Sequence, residues 1–366
     1  MKRPYHLAIT LLILFATAYL ITASPLSSRA INLDNHYEQA ITLGGEWFLN
    51  NQNENFIYYE YDPYTDTHDD DTHELREMGA LWSITQLANF TGDERYDQLA
   101  DNGIKYFLQY LAEDTEHDFT YFNINPDKVK LGYNAFLILA LLESNHPDKD
   151  EIMAKLANGI VYHQLDDGSL DTFFFSDRDT SVDYYPGEAL LALMSLYEAT
   201  GNDEYKKTVT NALAFYTNYF RTNPNTAFAP WQSRAYAKLY QINPNENIAN
   251  YIFEMNDYVL DRYSPRQDCQ HFTFDKGVVT AVHAEGVVQA YDIAKLTGDE
   301  DRARCYQNFI QESADYIITL QESNNTPLPV SAIGGFWGNV AKDSMRVDRN
   351  QHAVMLIMDA YSRGLI

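Results

Sequence analysis

The chain is 366 residues long, 45% apolar and 14% aromatic, with 26 Lys plus Arg against 52 Asp plus Glu and a formal net charge of −26. Such apolar content can bury a large core and excludes wholesale disorder, and the length alone suggests two or three domains. The charge excludes general binding to nucleic-acid phosphates and disfavours anionic membrane surfaces, which leaves neutral glycans, cations and basic partners.

Residues 1–29 read as a targeting segment. Lys2 and Arg3 precede an uncharged apolar stretch over 7–23, which ends among Thr22, Ala23, Ser24 and Pro25. That is the pattern of a secretory signal. The stretch is also just long enough to remain as a membrane anchor, with the two cations held inside. Either way the body is expected outside the cytoplasm, periplasmic or secreted.

The body opens with an amphipathic helix over 36–49. After a long loop comes 74–90, then the turn Thr91-Gly92-Asp93 and a helix over 94–111. The same unit recurs as 131–142 with 151–163, and as 186–199, Thr200-Gly201-Asn202 and 204–220. It continues as 233–240 with 246–260, then 283–296, Thr297-Gly298-Asp299 and 300–320, and closes on 350–361. In each turn Gly suits the left-handed position after one helix, and Asp or Asn caps the next. Segments after the turns are amphipathic, as an outer layer requires. Segments before them are rich in Ala, Leu, Met and Gly and read as buried on most sides.

Six outer and six inner helices alternate through 30–366. The pattern predicts a single all-α domain, an (α/α)6 toroid of six helical hairpins, in place of the two or three domains that length suggests. Inner-to-outer turns are short. Outer-to-inner connections (50–73, 112–130, 164–185, 263–282 and 321–349) are long, and long loops in a compact fold are usually functional. The cleft is therefore expected where the inner helices begin, with Gly92, Gly201 and Gly298 at the opposite end. The two cysteines, Cys269 and Cys305, fit a disulfide in an oxidising compartment, which would stabilise by about 3–4 kcal/mol; two buried thiols are the alternative. No CxxC supports a zinc site.

Two stretches carry a family resemblance. Tyr185-Pro186-Gly187-Glu188-Ala189-Leu190-Leu191-Ala192-Leu193, followed by Tyr197-Glu198-Ala199-Thr200-Gly201, resembles the inner helices of N-acylglucosamine 2-epimerase-like and glycoside hydrolase toroids. Gln164-Leu165-Asp166-Asp167-Gly168-Ser169 resembles the Gln-x-x-Asp-Gly-Ser turn of cyclase-like toroids, and Gly334-Gly335-Phe336-Trp337 is a weaker echo. The resemblance spans 34–366 as architecture and implies a six-hairpin carbohydrate-active enzyme. The Asp-x-Asp-Asp acids of cyclases, the Asp, Cys and His zinc set, and the Cys-Cys-His set of lanthionine cyclases are absent. No one family's catalytic residues therefore transfer.

Candidate site residues come from the starts of the inner helices. Asp183, Glu188, Glu285 and Asp348 are the candidate catalytic carboxyls, because glycoside cleavage needs one protonated and one ionised carboxyl group. Substrate contacts are expected from Glu74, Arg76, Tyr184, Tyr185, Trp231, Arg234, His283, Trp337 and His352: aromatics for stacking on sugar faces, arginines for a substrate carboxylate. The plainer roles are helix caps for Asp183 and Asp348, burial against an Arg for Glu188 and Glu285, satisfied core histidines and aromatic packing. The acidic run Asp66-Thr67-His68-Asp69-Asp70-Asp71-Thr72-His73 reads as a solvated loop at the cleft rim, with Ca²⁺ as the minor alternative. Carboxylates outnumber other groups, so hydrolysis of a polysaccharide or oligosaccharide is the leading expectation. A uronic-acid or sugar epimerase using His283 and His352 or Tyr184 as bases, a lyase, and a non-catalytic carbohydrate-binding toroid are the alternatives. No cofactor, metal ion or specific protein partner is implied.

Overall fold

In the computed structural model, residues 35–176, 178, 180–264, 266 and 268–366 are described. The N-terminal segment read as a signal or anchor lies outside them. Among the described residues no helix is long and apolar enough to cross a membrane.

Among the described residues, twelve α-helices alternate between an outer and an inner ring. The outer ones are α1 (His36–Asn50), α3 (Glu94–Leu108), α5 (Lys149–Tyr162), α7 (Asp203–Thr222), α9 (Glu246–Leu260) and α11 (Glu300–Ile318). The inner ones are α2 (Glu74–Thr91), α4 (Leu131–Glu143), α6 (Tyr185–Thr200), α8 (Phe228–Ile242), α10 (Val279–Thr297) and α12 (Val347–Ser362). The two sets differ in what they bury. In α3 only a stripe (Tyr96, Leu99, Ala100, Gly103, Ile104 and Phe107) faces inward, whereas α4 is buried continuously from Leu131 to Leu141. Each inner helix packs on the next, and α12 packs back on α2, which closes the ring.

The Thr-Gly-Asp turns end the inner helices as their chemistry requires. Gly92, Gly201 and Gly298 sit at φ 67°, 72° and 75°, the left-handed region that a side chain resists. The preceding threonines donate their hydroxyls to carbonyls one turn back, Thr91 to Leu87 at 2.8 Å and Thr200 to Leu196 at 2.7 Å. Asp93, Asn202 and Asp299 then accept from the first free N–H groups of α3, α7 and α11. All three glycines lie at the end of the ring opposite Asp183 and Asp348, as the alternation demands.

The long loops carry short strands that sequence reading leaves as loop. Strand β1 (Glu60–Asp62) lies between β2 (Thr67–His68) and β5 (Met345–Arg346), both antiparallel to it. The first long loop is thereby stitched to the last, and Val347 N–H donates to the Tyr59 carbonyl at 2.9 Å. Strands β3 (Leu111–Asp114) and β4 (Phe119–Phe122) form a hairpin against α5. The helix expected over 94–111 therefore stops at Leu108. Cys269 and Cys305 are bridged, with Cα atoms 4.9 Å apart, pinning the loop before α10 to α11.

Candidate functional site

The starts of α2, α4, α6 and α12 bring charged groups to one mouth. Arg76, in the first turn of α2, points its Nε at Asp348 Oδ2 across 3.3 Å and donates to the Tyr59 hydroxyl. Arg346 grips the same carboxylate through Nε at 3.0 Å and Nη2 at 2.7 Å. Burial pushes Asp348 upward, but Arg346 and Arg76 outweigh it and hold the carboxyl below its usual range. The charge of Arg76 is felt by Lys130, His73, Tyr184 and Tyr185, so it stands among the first turns of these helices.

Two carboxyl groups beside this cluster are of the opposite kind. Glu188 of α6 is buried, and its Oε2 has no hydrogen-bond partner among the described residues. It occupies space left by Gly132 of α4, where a Cβ would collide with it. Burial pushes its pKa up to about 8, opposed by Lys130. Glu77 accepts from the His73 N–H at 2.7 Å, and burial raises its pKa to about 7. Lys130 is half-buried above the Tyr133 ring, 5.1 Å from its centroid, and makes no ion pair among the described residues. Burial lowers its pKa. Glu74 accepts from the Tyr133 hydroxyl at 3.4 Å.

Deeper along the axis lies a second constellation. Glu285 of α10 is fully buried. One of its oxygens is 2.9 Å from His352 Nδ1 and the other accepts from Arg234 Nη2 at 3.1 Å. A carboxylate on Nδ1 assigns the proton to that nitrogen and leaves Nε2 as the acceptor. His352 Nε2 has no hydrogen-bond partner among the described residues. His352 sits one helical turn below Asp348 on the same face of α12, with its ring centroid 5.8 Å from that of Trp231. Arg234 also lies 3.7 Å from Asp359 and over the Trp82 ring.

The structure divides the residues expected at the mouth. Glu74, Arg76, Tyr184, Tyr185, Glu188 and Asp348 are at the inner-helix starts; Tyr184 is 47% exposed and Tyr185 packs on Phe173. Asp183 has a buried Oδ1 without a partner among the described residues and does not cap α6. Trp231, Arg234, His283 and Glu285 are instead buried inside the ring. The reason is that α8 and α10 begin at Phe228 and Val279, about a turn earlier than the sequence pattern suggests. Glu285 therefore does not line an open groove; it has the buried arginine partner of its plainer reading. His283 is a satisfied core histidine, 2.6 Å from the Tyr263 hydroxyl, and burial pulls its pKa down to about 4. Trp337 is buried, donates to Glu322 at 2.9 Å and offers no face for stacking on sugar. Tyr59, Glu77, Lys130 and Arg346 join the mouth although sequence reasoning did not select them. Arg346 stands two residues before Asp348, and that spacing was the available signal.

This is the architecture of a six-hairpin toroid with a polar mouth at its long-loop face. No protein-family model matches the chain, and no curated protein matches it. Solved structures match its fold. The chain is similar to a GH76A α-1,6-mannanase from Salegentibacter, at 10% identity and a TM-score of 0.68, covering 90% of this chain and 99% of that one. It is similar to cellobiose 2-epimerase from Bacillus thermoamylovorans, at 13% identity and a TM-score of 0.66, covering 90% and 98%. A sugar epimerase from a ruminal bacterium matches at 16% identity and a TM-score of 0.63, again covering 90% and 98%. All three are (α/α)6 toroids that act on carbohydrate, and the likeness is one of fold.

Proposed function

We propose that the chain is a carbohydrate-active enzyme working by proton transfer at the long-loop mouth, and that it epimerises or isomerises a sugar at the carbon beside its carbonyl. The observation that carries this reading is the Glu285–His352 pair. A buried carboxylate holds Nδ1 and leaves Nε2 as a base beside the mouth. His352 takes the proton from that carbon. The electron pair moves onto the carbonyl oxygen, where the Arg76 and Lys130 cations stabilise the developing charge. The neutral Glu188 carboxyl supplies a proton to the intermediate. His352 then returns its proton, to the opposite face of the carbon once the enediol has turned, which gives the epimer, or to the neighbouring carbon, which gives the isomer, and the Glu188 carboxylate takes a proton back from the oxygen that becomes the carbonyl.

Hydrolysis is the second reading, favoured by one observation: neutral Glu188 and ionised Asp348 share the mouth. The two are separated by incubating the protein with D-mannose, D-glucose, cellobiose and α-mannan in D₂O. Proton transfer puts deuterium on the carbon beside the carbonyl without new reducing ends; hydrolysis gives new reducing ends without deuterium. Loss of the exchange in His352→Ala supports the first reading, and exchange at the wild-type rate in that variant overturns it. An extracytoplasmic location belongs to the same proposal, supported by the Cys269–Cys305 bridge, which suits an oxidising compartment.

A further inference from the structure

The axial hole of the ring also opens at the short-turn face, where the six inner helices end. Two joined lobes of about 220 and 180 Å³ lie there, and both are lined by Gln86, Glu143, Arg234 and Asp359. Arg234 is 8% exposed, and its Nη2 donates to Glu285 at 3.1 Å. The Gln86 amide makes no hydrogen bond among the described residues, and Lys238, Gln289 and Ser195 complete the wall of the second lobe.

We propose that this pit is a second binding site, for a neutral polyhydroxylated molecule of one or two sugar units. The lining sets the class. Carboxylates, amides and cations stand side by side and are in part paired with one another, Gln289 with Asp359 at 3.1 Å and Asn89 with Glu143 at 2.9 Å; a hydroxyl group both donates and accepts, so successive hydroxyls serve the positions these pairs leave. An anion meets Glu143 and Asp359 and the C-terminal ends of the inner helices, which favour positive charge. A cation meets Arg234 and Lys238. The Arg234 guanidinium, held by Glu285 at 3.1 Å and lying over the Trp82 ring, is a fixed cation in the wall of both lobes.

The pit is on the face opposite the mouth, so it is tested apart from the proposed reaction. D-mannose, D-glucose and cellobiose are titrated calorimetrically into Arg76→Ala, which weakens the mouth, and into the same chain with Ser195→Trp, which fills the second lobe. At least one sugar should bind Arg76→Ala, and Ser195→Trp should weaken it about tenfold or more, the loss expected when hydrogen bonds worth about 1.4 kcal/mol are removed. Gln86→Leu, which removes one amide and leaves the packing in place, is the second variant and should weaken the same sugar. Unchanged affinity in both pit variants overturns the proposal. So does the absence of binding by all three sugars to Arg76→Ala, a result that leaves the chemistry at the mouth untouched.

Discussion

Replacing Glu285 with Gln tests the axial constellation most directly. The side chain keeps its shape, but the carboxylate that serves Arg234 and His352 together is lost. Removing one partner of a buried ion pair costs about 3–5 kcal/mol. Asp359, 3.7 Å from Arg234, retains part of the attraction, so the lower end, about 3 kcal/mol, is expected. At about 2 cal/mol/K per residue, a domain of roughly 330 residues unfolds with about 0.7 kcal/mol/K, and the melting temperature should fall by about 4–5 °C. The amide cannot satisfy both neighbours. If its oxygen faces Arg234, its NH₂ donates to His352 Nδ1, the ring proton moves to Nε2, and the base is lost. Turnover should then fall about 10²-fold or more. Calorimetric melting is paired with the deuterium-exchange assay on one preparation. Glu285→Gln with Arg234→Met should recover much of the stability, since removing both charges leaves neither unpaired, but none of the activity. A melting temperature within 1 °C of wild type would refute the buried pair. A lowered melting temperature with unchanged turnover would refute the orienting role.

Glu188→Gln should respond to pH. Folding raises this carboxyl from 4.5 to about 8, so its contribution is complete below about pH 4.5 and is lost as pH rises toward 8. Wild type should lose stability relative to Glu188→Gln by a few kcal/mol between pH 5 and 8.5 in urea titrations, and parallel curves would rule out a neutral Glu188. Cys305→Ser should lower stability by about 4 kcal/mol, the loop-closure value for residues 36 apart, and Ellman titration of the unfolded wild type should find no free thiol. Gly201→Ala should cost about 1–2 kcal/mol through its positive φ alone, because nothing lies within 4 Å of the new methyl. Gly45→Ala should cost more in the same denaturant assay, because its methyl meets Leu87 Cδ2 at 2.7 Å.

The ring was legible in the sequence because its signals are local. A glycine that must be left-handed and an Asp or Asn that must cap stand next to one another, and three copies fix the hairpin period. The starts of α8 and α10 carry no such mark. Ala227 and Val278 occupy their cap positions and make no side-chain hydrogen bond, and α8 begins Phe-Ala-Pro, which reads as loop. The error of about one turn moved Trp231, Arg234, His283 and Glu285 from the interior to the rim. Strands of two to four residues are too short for an alternating pattern, so β1, β2 and β5 were not visible, and the closeness of Tyr59 to Arg346 was hidden with them. Lys130 and Glu77 became site candidates only through burial, which composition does not report.

The sheet joining β1 to β5 has a bearing on biosynthesis. It binds the first long loop to the last, and the ion pair between Arg76 and Asp348 does the same from the helices. The mouth is thus assembled from the two ends of the body, and nothing synthesised before β5 can complete it. A nascent chain that stops short of α12 holds an open ring in which the apolar faces of α2 and α10 lack their neighbour. Such a product exposes the surface that chaperones and proteases recognise. The clasp therefore makes possession of a site wait on synthesis of the last inner helix of the ring.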